Sequence, residues 1–273
     1  MIEDLVKPLG PYRLNLMTFG RAYETPVPGG KTGLAWQRSD GQVELRAPDE
    51  AALATLRFCL ALEADTTEFV RRFRNDPLLG PSVRHLYGLR PLRRPTVARA
   101  ALHAICGQLV DTKTAFAIER RVLAAIGDQA PTREPIGALS PAQLRRFGLA
   151  TQRASSLVRI CRTIDLEGLR DRPIEAVEAR LLRERGLGPW SLGVIALHGI
   201  GSYRHGLVGD LTLVKLCSAL WGRWVELHET AELLAPYEEW AGLAGVYLMK
   251  GWGSGLVPGT DADRARLVRS RAA

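Results

Sequence analysis

The sequence predicts an α+β fold that is mainly α: an N-terminal antiparallel sheet with helices over residues 1–75, then a helical region over 76–273. Three observations carry this prediction. Short alternating apolar runs flank Asp40-Gly41, apolar residues recur with a 3.6-residue period from Asp65 onward, and Pro and Gly divide that periodic stretch into helix-sized pieces.

Taken in order, Arg13-Leu14-Asn15-Leu16 alternates and reads as extended chain. Leu34 to Arg38 and Val43 to Arg46 alternate on either side of Ser39-Asp40-Gly41-Gln42, and Asp-Gly between two such runs marks a hairpin. Pro48-Asp49-Glu50 opens a helix whose Leu53, Leu56, Leu60 and Leu62 can cover one face of the sheet. Beyond it, apolar faces predict helices over 66–73, 97–126, 141–147, 154–164, 174–183, 190–198, 211–221 and 229–247. Breaks fall at Asp76-Pro77, Gly80-Pro81, Arg90-Pro91, Arg94-Pro95, Gly127, Ser140-Pro141, Arg172-Pro173 and Gly222. The arginine-bearing tail over 261–273 reads as a solvated end.

Composition narrows the function classes. With 273 residues, of which 46% are hydrophobic and 24% charged, the chain can bury a sizeable core, which excludes global disorder. No run of 18 apolar residues exists, so no membrane-spanning helix is expected. Met1-Ile2-Glu3-Asp4 lacks the basic-then-apolar layout of a signal peptide, which points to a cytoplasmic, nucleoid-associated place in a bacterium. The 37 Lys+Arg against 29 Asp+Glu, a net +8, favours an anionic partner such as nucleic acid. Cys59, Cys106, Cys161 and Cys217 form no C-x-x-C pair and sit in apolar runs. They read as buried thiols rather than ligands of zinc or an iron–sulfur cluster.

The chemistry-bearing stretch is Leu181-Leu182-Arg183-Glu184-Arg185-Gly186-Leu187-Gly188-Pro189-Trp190-Ser191-Leu192. A helix end, a Gly-x-Gly turn and a proline at the first position of the next helix leave backbone N–H groups pointing outward, a cradle for a phosphate. Alone, the same residues describe a tight helix–helix turn. Twenty residues past Trp190 stands Asp210, which alone reads as the N-cap of the helix over 211–221.

Together the hairpin and the aspartate resemble the hallmark of the helix-hairpin-helix (HhH-GPD) superfamily of DNA glycosylases. Arg99 to Val110, ending in Gly107-Gln108-Leu109-Val110, is similar to that superfamily's Gly-Gln-Gln/Leu-Val segment. Asn75 to Leu79 with Gly88-Leu89-Arg90 resembles the lead-in of the 3-methyladenine DNA glycosylase II branch. Phe147 to Ala154 resembles its Gly-Leu-Ser-x-x-Lys-Ala helix start, with Arg153 in the lysine position. The similarity runs from about residue 12 to 253 and implies a two-lobe helical region with the hairpin at about 175–199 and a cleft between the lobes. Departures are Glu184-Arg185 where Leu-Pro is common, Ser191 for threonine, and Val194 where an aromatic is frequent; the last bears on base preference.

The resemblance implies an enzyme that flips alkylated purines from duplex DNA and hydrolyses the N-glycosidic bond, with Asp210 as the catalytic carboxylate. It implies Trp190, Tyr247 and Val194 in the base pocket, Leu109 as the wedge that fills the gap with Gln108 beside it, and Gly186, Gly188 and Ser191 at a phosphate. It implies a monovalent cation on the carbonyls of Leu182, Glu184 and Leu187, no cofactor for the chemistry, and a monomer acting on damaged double-stranded DNA. Strand-cutting relatives carry a lysine after the hairpin proline for a Schiff base; Trp190 stands there and Lys215 reads as a surface residue, so base release without strand cleavage is expected. Two alternatives stay open at this point: a glycosylase for hypoxanthine or an oxidised base, and a non-catalytic protein that binds damaged DNA.

Overall fold

The computed structural model describes residues 1–16, 22–27, 31–127 and 131–260. The arginine-bearing tail lies outside them. Four strands, β1 (Ile2–Val6), β2 (Ala22–Val27), β3 (Lys31–Gln37) and β4 (Val43–Ala47), form one antiparallel sheet in the order β1-β4-β3-β2. The expected hairpin joins β3 to β4. Arg38 N–H donates to Gln42 O at 2.8 Å, Gln42 N–H donates to the Asp40 side chain at 3.0 Å, and Gly41 takes the left-handed φ of +85° that the turn requires. Val43, Leu45 and Ala47 face inward at every second position, and α1 (Glu50–Cys59) covers them with Ala52, Leu53 and Leu56. Asp49 starts that helix by accepting the Ala52 N–H at 2.9 Å. A Cβ on Gly33 of β3 would come within 2.9 Å of Leu56, so glycine lets the helix lie close to the sheet.

One expectation for this region is corrected. Residues 14–16 form a 3-10 turn rather than extended chain, and β1 and β2 complete a sheet of which the sequence announced only the central hairpin.

The helical region contains α2 (Thr67–Phe73), α3 (Gly80–His85), α4 (Val97–Gly107), α5 (Thr112–Ile126), α6 (Arg133–Ala138), α7 (Pro141–Arg146), α8 (Thr151–Thr163), α9 (Ile174–Leu182), α10 (Pro189–Ile195), α11 (Leu211–Trp221), α12 (Thr230–Leu234) and α13 (Ala241–Gly253). A second core, from Phe69 to Val257, fills the space between them. The single helix expected over 97–126 is instead two. Gln108 turns extended, Leu109 takes a left-handed φ of +53°, and Asp111 accepts the Thr114 N–H at 3.0 Å to start α5. The expected 229–247 helix is likewise divided, because a 3-10 stretch holding Pro236, with Glu238 at φ +48°, separates α12 from α13. A π-turn over Ala196–Ile200 extends α10, with Gly201 N–H reaching Ala196 O at 2.8 Å.

A buried and a half-buried arginine tie segments of the two regions together. Arg90, with no exposed surface, donates to Ala61 O at 2.6 Å, to Pro11 O at 2.7 Å and to Leu9 O, and lies 5.0 Å over the Tyr12 ring. Arg170 donates to Gly199 O at 2.8 Å and stacks 3.9 Å over Phe58. Part of the arginine excess is therefore structural and says nothing about a nucleic-acid partner. All four cysteines are free and buried, and burial pushes the thiols of Cys59, Cys106 and Cys161 up to about 12 and that of Cys217 to about 11.

Candidate active site

The hairpin follows from its sequence. Leu187 N–H closes the turn on Glu184 O at 3.1 Å, and Gly186 sits at φ +94° with its absent Cβ 2.7 Å from Ser156 Oγ, so both backbone and space demand glycine there. Gly188 is extended, at φ −116°, and a Cβ there would meet nothing within 4 Å. Pro189 then occupies the first turn of α10.

Two guanidinium groups brace the turn. Arg180 meets Glu184 at 2.7 Å and Arg159 meets it at 3.3 Å. Burial raises the Glu184 carboxyl, but the hydrogen bonds from Arg180 and Arg159 outweigh it and hold the group below its ordinary value. Arg159 and Ser156 also donate to the Arg185 carbonyl. Of the three carbonyls expected at a monovalent cation, that of Glu184 already accepts the Leu187 N–H. Among the described residues no group of three His, Cys, Asp or Glu side chains could hold a metal ion.

Asp210 unites the two readings its sequence allowed. Its Oδ1 accepts the Thr212 N–H at 2.8 Å, capping α11, and its Oδ2 accepts the indole N–H of Trp190 at 3.1 Å. The far edge of the same indole lies over α4, where a Cβ on Gly107 would come 2.8 Å from Trp190 Cη2. Trp190 therefore spans from the aspartate to the last turn of α4. Behind Asp210, Gly209 turns at φ +86°, and its N–H donates to Thr230 Oγ1 at 2.7 Å. That fully buried hydroxyl in turn donates to Leu227 O at 2.8 Å. Thr230 went unnoticed in the sequence, because nothing in its local pattern distinguishes it from a helix-opening threonine.

Gln108 and Leu109 form the break between α4 and α5. The Gln108 amide donates to Gly186 O at 2.8 Å and to Ser191 Oγ at 2.9 Å, fastening this break to the hairpin. Leu109 is 80% exposed. A large apolar side chain held in solvent on a left-handed residue is a costly placement that packing does not explain. Ser191 is buried, and its hydroxyl oxygen accepts from Gln108.

Two expected pocket residues are placed elsewhere. Tyr247 has no exposed surface; its hydroxyl donates to Leu89 O at 3.1 Å and its ring packs 5.1 Å from Phe69. Val194 is buried in the same core. The apolar face of α13 turns Tyr247 inward, and α10 does the same for Val194. Lys215 is exposed on α11, and Lys250 donates to Leu16 O at 2.8 Å.

No protein-family model matches the chain. It is similar to the DNA-3-methyladenine glycosylase of Bacillus subtilis (strain 168), 24% identical over 206 residues, which covers 69% of this chain and 68% of that protein. Among solved structures it resembles the 3-methyladenine DNA glycosylase from Archaeoglobus fulgidus, with a TM-score of 0.78 and 19% identity over 91% of this chain and 97% of that one. It also resembles the 8-oxoguanine glycosylase/lyase of Clostridium acetobutylicum, with a TM-score of 0.71 and 17% identity over 90% of this chain and 95% of that one. With its braced Gly-x-Gly hairpin and an aspartate bonded to Trp190, this chain has the fold of these DNA glycosylases and is similar in sequence to the Bacillus subtilis one.

Proposed function

We propose that this protein is a monofunctional DNA glycosylase that removes alkylated purines of the 3-methyladenine and 7-methylguanine type from duplex DNA, as a monomer in the bacterial cytoplasm. The observation that carries the reading is the Asp210 carboxylate held between the start of α11 and the Trp190 indole. Cleavage of an N-glycosidic bond builds positive charge on the sugar, and a fixed carboxylate beside C1′ stabilises that charge. The same oxygen can orient the water that adds to C1′. Both hydrogen bonds fix the carboxylate before substrate arrives, so little reorganisation accompanies the step.

The indole face of Trp190 suits a cationic methylated base, through stacking and cation–π attraction of ~0.5–2 kcal/mol. With tryptophan at this position, no amine stands ready for a Schiff base. Leu109 would enter the stack as the base leaves it. The extended backbone at Gly188 and the start of α10 would hold a phosphate through N–H groups. The Clostridium acetobutylicum protein has also been solved with double-stranded DNA containing cytosine opposite 8-oxoguanine, which supports a duplex as the partner in this reading.

The test is release of free base from methylated duplex DNA. Wild-type protein is expected to liberate 3-methyladenine and 7-methylguanine, and Asp210→Asn to lose this while still binding the duplex. Near-normal release by the Asn variant refutes the role of Asp210. Tight binding of damaged duplex by the wild type without any release refutes the glycosylase reading itself.

A further inference from the structure

Asp210 does not stand alone at the start of α11. Exposed apolar side chains lie against both of its sequence neighbours. Leu211, the first residue of α11, is 52% exposed. Leu227 is 46% exposed, and its Cβ lies 3.6 Å from where a Cβ on Gly209 would be. Thr230 fixes that second approach, since its hydroxyl accepts the Gly209 N–H and donates to Leu227 O. Single exposed leucines are ordinary on a protein surface, but two that flank one carboxylate form a patch that packing does not explain.

One turn further along the helix stands an unpaired cation. Leu213, Val214, Leu216 and Cys217 are buried, so Leu211 and Lys215, four residues apart, share the outer face of α11 about 6 Å apart along its axis. Lys215 is exposed, and among the described residues it has no hydrogen-bond or ion-pair partner. The charges of the turn that carries Leu227 are already engaged. Arg223 donates to Glu229 Oε2 at 3.1 Å, the same oxygen accepts the Glu226 N–H at 2.7 Å, and the Glu226 carboxylate accepts the Glu229 N–H. Both carboxylates of that turn are thus held within it, whereas the ammonium of Lys215 is open to a partner from outside.

We propose that the outer face of α11 is a second grip on the DNA backbone, in which Lys215 takes a phosphate beside the flipped nucleotide and Leu211 and Leu227 cover the adjoining deoxyribose. This inference rests on the reading above, in which Asp210 meets that nucleotide. A carboxylate that reaches C1′ brings the strand against its own helix neighbours, so the face bearing Leu211 and Lys215 runs beside the strand. The side chains suit what they would meet. A deoxyribose edge is largely C–H and accepts leucine, whereas a phosphate calls for a cation or an N–H donor. The Asp210 carboxylate also repels the backbone it approaches, and a lysine about one turn away offsets that repulsion. The hairpin N–H groups open α10 and Lys215 lies on α11. Asp210, which caps α11 and accepts from Trp190 of α10, joins the two elements that hold the strand.

Titration of the whole protein with an intact duplex and with a duplex carrying one abasic site, at several salt concentrations, tests this. Lys215→Gln should lower the slope of log affinity against log salt by about 0.9, the value for one neutralised phosphate, and Lys215→Arg should restore it. Lys7→Gln, which removes a charge just past β1, should leave the slope unchanged. Leu211→Ser and Leu227→Ser should keep the wild-type slope and weaken the abasic complex about fourfold for each carbon that the duplex covers. Both leucines are exposed, so these variants should unfold in urea as wild type does. An unchanged slope in Lys215→Gln, an equal loss of slope in Lys7→Gln, or wild-type abasic affinity in both leucine variants overturns the inference and leaves the glycosylase reading standing. Wild type that shows the Lys215 slope difference but frees no base from methylated duplex overturns the glycosylase reading and leaves the α11 grip.

Discussion

Replacing Leu109 separates what this residue does for the free protein from what it does for a flipped complex. The side chain is 80% exposed and its backbone sits at φ +53°. Truncation to alanine removes no buried contact, so the stability of the free protein should change by less than about 0.5 kcal/mol. Glycine goes further. It relieves a left-handed strain of about 1–2 kcal/mol and loses about 0.5–1 kcal/mol through chain entropy, so Leu109→Gly should be stabilised by up to about 1 kcal/mol. In the complex the sign reverses. A leucine inserted into the base stack would bury three carbons that alanine lacks, at about 0.8 kcal/mol each, or about 2 kcal/mol. Affinity for an abasic duplex should therefore fall roughly 30-fold in Leu109→Ala, while affinity for intact duplex stays nearly constant. Urea unfolding of the free variants and titration of both duplexes at several salt concentrations measure these quantities. The slope of log affinity against log salt should not change, because no phosphate contact is lost. Destabilisation of Leu109→Ala by 2 kcal/mol or more, or equal weakening on both duplexes, refutes the reasoning.

Gly188→Val should fold normally, since its backbone is extended and its surroundings are open, yet weaken all duplex binding alike; Gly186→Ala should instead destabilise the protein, because φ +94° and Ser156 oppose a Cβ. Thr230→Val removes the acceptor for Gly209 N–H and should lower kcat more than substrate affinity, whereas Thr230→Ser, which keeps the hydroxyl, should restore it; parallel losses in both variants would count against a positioning role. Borohydride should trap no covalent adduct with DNA, and an adduct that disappears on mutating Lys215 or Lys250 would overturn the monofunctional reading. His198, lowered to about 3 by burial, binds no proton in the native state above that pH, while the unfolded chain gains one below about 6.5. Stability should therefore fall as pH drops from 7 to 5, by about 2 kcal/mol from this group, and His198→Gln should lose that part of the pH dependence in urea titrations.

The sequence by itself determined the parts of this protein that depend on short-range chemistry. Asp40-Gly41 fixes a turn between alternating runs, Asp49 and Asp111 satisfy helix N–H groups, and Gly186 with Pro189 dictates the hairpin. Each is settled by residues within a few positions of one another, where dihedral preference and local hydrogen bonding decide the outcome. The pairing of that hairpin with Asp210 was also legible, though only through resemblance, since Asp210 read alone is a helix cap. Tertiary structure decided what periodicity cannot express. An apolar period runs through Leu109 as through its neighbours, and only the packing of α4 against the hairpin, tied by Gln108, ends the helix there and leaves the leucine in solvent. Tyr247 carries the same apolar pattern as a pocket aromatic would, but Phe69 and Leu89, remote in sequence, close over it. Thr230 against Gly209, Trp190 against Asp210, and Glu119 between Arg99 and His103 are likewise matches across separate helices. Such matches depend on where whole helices cross, and helix crossing is set by packing over the entire core rather than by the residues that happen to meet.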